Sequence, residues 1–303
     1  MGNVIEISNL VKEYKSVRAV DGIDLNVREG EIYSLLGPNG AGKTTTVEIL
    51  EGIRRKTSGK VAVLGLDPVK DRKDLSRRIG ILPQDFNFMA NITPAEALSF
   101  YKKCLGIRTD VLQILKEVDL YDKKDTPFEN MSGGQKQKLG LAMAMSNDPE
   151  VLFLDEPTAG LDPFSRRNVW GIIEKMKGSG KTVFLTTHYL EEAEKLSDRV
   201  AFIKQGKIIT EGSPEEIIRL NHVGDKVILR SGSDIVSVLK PLGYDVTSEN
   251  GSTQVVIKDT NQFFEIIDTL KENHIDLKDV NMKRESLEDV FMRLVGRVET
   301  DES

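Results

Sequence analysis

GPNGAGKT, Gly37 to Thr44, follows the apolar run IYSLL from Ile32 and leads into TTVEIL, which has the pattern of a helix. It fits G-x-x-x-x-G-K-[ST] in the context the chemistry needs: a buried strand, a glycine-rich turn and a helix start. Glycines let the backbone wrap a phosphate group. The main-chain N–H groups and the helix N-terminus supply positive partial charge. Lys43 is then expected to hold the β- and γ-phosphates, and the Thr44 hydroxyl to ligate Mg²⁺. The competing reading is an ordinary glycine turn, which the strand and helix on either side disfavour.

Working outward, apolar runs rich in Ile and Val recur: IGILPQ from Ile79, VLFLDE from Val151, TVFLTTH from Thr182 and RVAFIK from Arg199. Uninterrupted runs predict strands buried on both faces. Helical patterns between them predict a largely parallel sheet, hence an α/β fold. Thr93, Pro94 and Glu96, and again Ser213, Pro214 and Glu216, place an N-cap hydroxyl, a proline at N1 and a carboxylate at N3, so both read as capping boxes. Residues 85–145 carry helical patterns and no convincing strand, which predicts a helical insertion within a first domain of residues 1–221. From His222 the runs KVILR, DIVSVLKPLG, YDVTSE, TQVVIK, FFEIIDTLKE, IDLKDV and LEDVFMRLV read as βαββαβ plus a helix. That is a small α+β, ferredoxin-like accessory domain over residues 222–303. Asn250 and Gly251 predict a type I′ hairpin turn, and the acidic tail after Val298 is expected to fray.

A second buried strand, VLFL, ends in Asp155 and Glu156. Asp155 is placed to hold Mg²⁺, and Glu156 to orient and deprotonate an attacking water. The alternative is a pair of solvated loop carboxylates. MSGGQ, Met131 to Gln135, precedes the helical run KQKLGLAMAM; Ser132 is a helix cap, while Gly133 and Gly134 allow a phosphate close to bare N–H groups. Alone, Ser-Gly-Gly is a flexible loop; between the phosphate loop and Asp155 it becomes informative.

GPNGAGKTT, LPQD, MSGGQKQK, VLFLDEPTAGLD and TTH, in this order over roughly the first 220 residues, resemble an ATP-binding cassette (ABC) ATPase. The resemblance implies a P-loop NTPase with a RecA-like core, an antiparallel β subdomain and a helical insertion. It implies ATP and Mg²⁺, with Gly37, Asn39, Gly40, Gly42, Lys43, Thr44 and Thr45 around the phosphates and Thr44, Gln84 and Asp155 toward the metal. Glu156, His188 and Gln84 take the catalytic roles, His188 as a switch on the γ-phosphate. Tyr14 matches the aromatic that stacks on adenine, or is a plain strand-end aromatic. Ser132, Gly133, Gly134 and Gln135 match the signature that serves the nucleotide of an opposite cassette. Asp162 matches the residue linking the two sites, and Pro163 after it also suits an N-cap. One phosphate loop and one signature per chain imply a homodimer or heterodimer of cassettes. Met131 stands where Leu is commoner, Lys138 where many members have Arg, and Ala159 where many have Ser, so no hydroxyl role is carried to that position.

The resemblance also implies a separate membrane permease as partner and a peripheral position on the cytoplasmic face of a bacterial or archaeal cell membrane. No run reaches the roughly 18 apolar residues of a membrane span, and the N-terminus lacks a signal-peptide pattern. Across 303 residues, 42 basic against 48 acidic side chains leave a formal charge of −6, which disfavours a nucleic-acid partner. The single cysteine, Cys104, excludes an intramolecular disulfide or a Cys-rich zinc site and is expected to be buried in a helix. Phe86, Phe88 and Met89 are unusually apolar for a loop and suit either a groove for a permease helix or packing within the insertion. The alternatives are a soluble ABC ATPase acting on nucleic acid or ribosomes, disfavoured by the absence of coiled-coil interruptions and of a second cassette, and an importer ATPase. ESLEDVFMRLVGR, Glu285 to Arg297, looks like the ending of ATPases paired with drug, antibiotic, lipid or polysaccharide exporters. The transported molecule is not encoded here.

Overall fold

Alternating burial along Asn3–Tyr14 (β1) and Val17–Arg28 (β2) sets Ile5, Ile7, Val20, Ile23, Leu25 and Val27 on one face, the period-two signature of a sheet with one wet side. This is a computed structural model, and it describes residues 2–107, 109–231, 234–249 and 252–296. The chain continues through β3 (Ile32–Leu36), α1 (Lys43–Leu50), β4 (Ser58–Val63), α2 (Arg72–Leu75), β5 (Ile79–Leu82), α3 (Pro94–Leu105), α4 (Val111–Glu117), α5 (Gly133–Met145), β6 (Val151–Asp155), α6 (Pro163–Gly178), β7 (Thr182–Thr187), α7 (Leu190–Leu196), β8 (Arg199–Lys204) and β9 (Lys207–Gly212). β1, β2 and β4 form an antiparallel sheet in the order β2-β1-β4. The second sheet runs β5-β6-β7-β3-β8-β9 and is parallel except for β9. β3, β6 and β7 are buried along their whole length, as expected of strands covered on both faces. The mixed α/β core with its antiparallel subdomain is thus in place, and the strand carrying the phosphate loop lies at the centre of the larger sheet.

Between β5 and β6 the described residues are helical or irregular. α3 opens with the expected capping box on Thr93 and Glu96. Phe86 and Phe88 pack against the core that joins this insertion to the sheet, and Phe86 meets Phe128 edge to face at 6.1 Å. Met89 stays 64 % exposed, so packing within the insertion accounts for the two phenylalanines and not for Met89. Cys104 corrects an expectation: it lies in α3 but is exposed, because the helix is buried at Pro94, Ala97 and Leu98 and its last turn, Lys103 to Leu105, is exposed all round.

The chain divides into two compact units, and the second spans Glu215–Arg293. The helix α8 (Pro214–Leu220) therefore falls almost wholly with the second unit, seven residues earlier than the change of sequence character at His222. Its further elements are β10 (Asp225–Ser231), α9 (Ile235–Leu239), β11 (Asp245–Glu249), β12 (Ser252–Ile257), α10 (Thr260–Glu272), β13 (Leu277–Lys283) and α11 (Leu287–Leu294). The strand order β11-β12-β10-β13, antiparallel throughout, is the ferredoxin-like arrangement that βαββαβ predicts. Val227, Leu229, Val255 and Ile257 face Ile266 and Leu270 of α10 in its core. The stripe Leu287, Val290 and Phe291 of α11 is covered by the chain itself. Asn250, Gly251 and the acidic tail lie outside the described residues. No helix among the described residues is long and apolar enough to cross a membrane.

Candidate active site

β3 delivers the chain to Gly37, where a Cβ would sit 2.3 Å from the carbonyl oxygen of Ile203 in β8. At Gly42, φ is +108° and a Cβ would come within 2.4 Å of the Ala19 carbonyl in β2. Glycine at both positions is a steric requirement: the loop is clasped between strands of two sheets. α1 starts at Lys43 with no side chain capping its N-terminus, so its first N–H groups are available to an anion.

The Lys43 side chain is 5 % exposed. Its Nζ donates to Gly37 O at 2.8 Å and Pro38 O at 3.3 Å, and lies 3.4 Å from Glu156 Oε1. Burial pushes its pKa down, while Glu156 and then Asp155 pull it back up. Asp155, at the end of β6, accepts a hydrogen bond from Thr186 Oγ1. Burial drives its carboxyl above the usual range against hydrogen bonds from Thr186 and Thr44.

Glu156 has a left-handed backbone, φ +49°, unusual for a side chain of this kind. Its N–H is held by Thr186 O and Thr186 Oγ1, both at 3.1 Å. Burial works to raise its pKa, but the His188 hydrogen bond and the Lys43 charge prevail and hold the carboxylate below its ordinary range. His188, just beyond β7, places Nδ1 2.9 Å from Glu156 Oε2.

A cavity of about 420 Å³ gathers Asn39, Gly40, Gly42, Lys43, Thr44, Thr45, Gln84 and Glu156, with Ala19 beside the loop. Sequence reasoning missed Ala19 and Thr186; the second had a signal, the hydroxyl pair in TTH. Tyr14 is half-buried at the end of β1 and does not line this cavity; Lys12 and Arg54 lie over its ring at 4.8 and 5.2 Å. Ser132 to Gln135 and Asp162 also stand apart from it. Ser132 and Gln135 form a capping box at the start of α5. Asp162 caps α6, accepting from Phe164 N and Ser165 N at 3.0 Å. Lys138 is paired with Asp119 at 2.8 Å.

Thr44 and Asp155 bring a hydroxyl and a carboxylate together, hard oxygen donors suited to Mg²⁺. Among the described residues no group of three His, Cys, Asp or Glu side chains forms a metal cage. A cation held here would complete its shell from phosphate oxygens and water, the usual manner of Mg²⁺.

Residues 20–159 match the family model described as ABC transporter. The chain is 35 % identical over 317 aligned positions to the daunorubicin resistance ATP-binding protein DrrA2 of Streptomyces coeruleorubidus, covering 100 % of this chain and 98 % of that protein. It is 38 % identical to the Nod factor export ATP-binding protein I of Paraburkholderia xenovorans (strain LB400), over 97 % of both. In structure it is similar to the ADP form of the ATP-binding cassette MJ1267, with a TM-score of 0.66 at 24 % identity over 73 % of this chain and 95 % of that one. It is also similar to the dimeric post-hydrolysis cassette MJ0796 bound to ADP and Pi, with a TM-score of 0.63 at 27 % identity over 69 % and 98 %.

Proposed function

The chain belongs to the ABC transporter family as an ATP-binding, ATP-hydrolysing subunit of the exporter kind, and from that premise we propose that it hydrolyses Mg-ATP at composite sites shared by two cassettes. One observation carries this reading: Lys43 and His188 both converge on Glu156, while the signature Ser132 to Gln135 lies outside the cavity that its own phosphate loop lines. Gly37 to Thr45 cradle the phosphates. Thr44, Gln84 and Asp155 would hold Mg²⁺, which when bound would neutralise charge on the phosphate oxygens. Lys43 turns from its loop carbonyls and Glu156 toward the phosphates. Relieved of that neighbouring charge, Glu156 becomes a stronger base for the attacking water. His188 keeps the carboxylate aimed and reaches the γ-phosphate. Tyr14 stacks on adenine, and Ser132 to Gln135, with Asp162, complete the site of the opposite chain.

The partner is a separate permease, which would hold the chain at the cytoplasmic face of the membrane. The names of the relatives in daunorubicin resistance and Nod factor export favour a drug, antibiotic, lipid or polysaccharide as cargo. Mixing Lys43→Ala chains with Ser132→Arg chains tests the shared site. Neither homodimer is expected to turn over ATP. The mixture should recover roughly one quarter of wild-type activity, because half the dimers carry one intact site of two. No recovery, with heterodimers demonstrated and ATP bound, would remove the composite site.

A further inference from the structure

Glu192, the third residue of α7, is fully buried. Nothing in the chemistry above uses it. Its Oε1 accepts two hydrogen bonds, from Thr158 Oγ1 at 2.8 Å and from Trp170 Nε1 at 2.8 Å. Thr158 is itself 0 % exposed and lies two residues beyond Glu156; Trp170 lies in α6 and is 2 % exposed. The other oxygen, Oε2, is buried with no hydrogen-bond partner, and so is Nε of Arg166. The Arg166 guanidinium lies 4.0 Å from the centroid of the Tyr189 ring, and that ring contacts His188 at 4.1 Å. Burial drives the Glu192 carboxyl upward, against the hydrogen bonds it accepts and the charge of Arg166.

Leaving a carboxyl group in this position is costly. A buried acid with one oxygen unpartnered is destabilising relative to an apolar side chain of similar size. Packing alone gives no reason for it. The geometry offers one. Glu156 itself is tied to the switch segment through Thr186 and His188, bonds made before the chain leaves the turn. Glu192 supplies a second tie, since it takes Thr158 from one segment and sits one helical turn after His188 on the other.

We propose that Glu192 is a positioning residue for hydrolysis, fixing the segment that follows Glu156, through Thr158, to the helix that follows His188. The base is then held from both sides: Thr186 grips its N–H before the turn, and Glu192 grips Thr158 after it. Trp170 anchors the carboxylate from α6, with Lys195 of α7 5.0 Å from the centroid of its ring, and makes no hydrogen bond to Thr158. This rests on the reading of Glu156 as the base and His188 as its partner.

The two bonds to Oε1 can be cut separately in the full chain. Thr158→Val removes the tie to the base segment at nearly constant volume, and Trp170→Phe removes the anchor. Thr158→Val is expected to lower kcat about 10-fold to 100-fold with KM for ATP within about twofold, since misplacement by an ångström or less costs rate and not ground-state binding. Trp170→Phe is expected to keep kcat within about twofold, although it too strips a hydrogen bond from the same carboxylate and lowers the melting temperature. Glu192→Ala should match the kcat loss of Thr158→Val and add nothing to it in the double variant. Wild-type kcat in Thr158→Val overturns the proposal, and so does an equal kcat loss in Trp170→Phe, which would mean general loosening. Glu156→Gln assayed alongside separates the premises: if that variant turns over normally, the base assignment has failed and not the tie.

Discussion

Glu156 in the first unit and Glu285 in the second are each 7 % exposed, yet their surroundings differ in kind. Glu285 is boxed in by partners on both oxygens: Arg293 NH1 at 2.5 Å, His222 Nδ1 at 3.1 Å and the N–H of Val223 at 3.0 Å. Glu156 has Lys43 and His188, but it also faces a cavity and sits on a left-handed backbone. The first arrangement is a closed account of hydrogen bonds that staples the start of α11 to the segment before β10. The second keeps one side of the carboxylate open to a reactant. Burial of an acid therefore says little until its remaining lone pairs are traced to a partner or to open space.

The sharpest way to break that contrast is Glu156→Gln. Turnover should fall about 10² to 10⁴-fold, roughly 3 to 5.5 kcal/mol of barrier, with ATP affinity retained. Steady-state hydrolysis within about threefold of wild type would make Glu156 another staple. Glu51, just past α1, sharpens the contrast as a third type. Burial, and then the like charges of Asp155 and Glu48, raise its carboxyl from 4.5 to about 8. An acid whose folded pKa is raised contributes no penalty below about pH 4.5 and an increasing one as pH climbs toward 8, because the unfolded chain gives up a proton that the folded chain retains. Glu51→Gln in the nucleotide-free chain should therefore gain stability over wild type at pH 8, on the order of 2 to 4 kcal/mol, and little at pH 4.5. Thermal melts at the two pH values check it. The smallest effect belongs to Glu285→Ala. Its guanidinium partner is 37 % exposed, so screening limits the loss to about 1 to 3 kcal/mol in the second unit. ATP turnover should not change; a drop in kcat without a drop in melting temperature would place the second unit in the hydrolytic cycle.

Much of the site was legible because its chemistry is local. The glycines, Lys43 and Thr44 fall within one loop, Asp155 and Glu156 end one strand, and each capping signal marks a helix start on Ser132, Thr93 or Asp162. What escaped was set by register and by distant partners. Glu192 sits in the charged run YLEEAEKL, which reads as a solvated face; only the phase of α7 turns it inward beneath Trp170, while Glu191 stays outside. Cys104 escaped for a different reason: it shares the face of the buried Ala97, two turns earlier, but sits in the exposed last turn of α3, and sequence periodicity does not tell how far along a helix its cover extends. The clasp on Gly37 and Gly42 comes from Ile203 and Ala19, residues that no spacing rule connects to the loop. The boundary between the units moved to the front of α8 because contacts, not composition, decide it.

The central place of β3 bears on how the protein is made. Its two neighbours in the sheet are β7 and β8, both synthesised long after it. At about 5–20 residues per second, a ribosome needs about 10 to 30 seconds to travel from Gly37 to Ile203. Throughout that interval the nascent chain carries the complete phosphate-loop motif without β8, one of the two strands that clasp it. Pairings this far apart in sequence close late, so the capacity to grip a nucleotide arrives abruptly, once β8 has emerged.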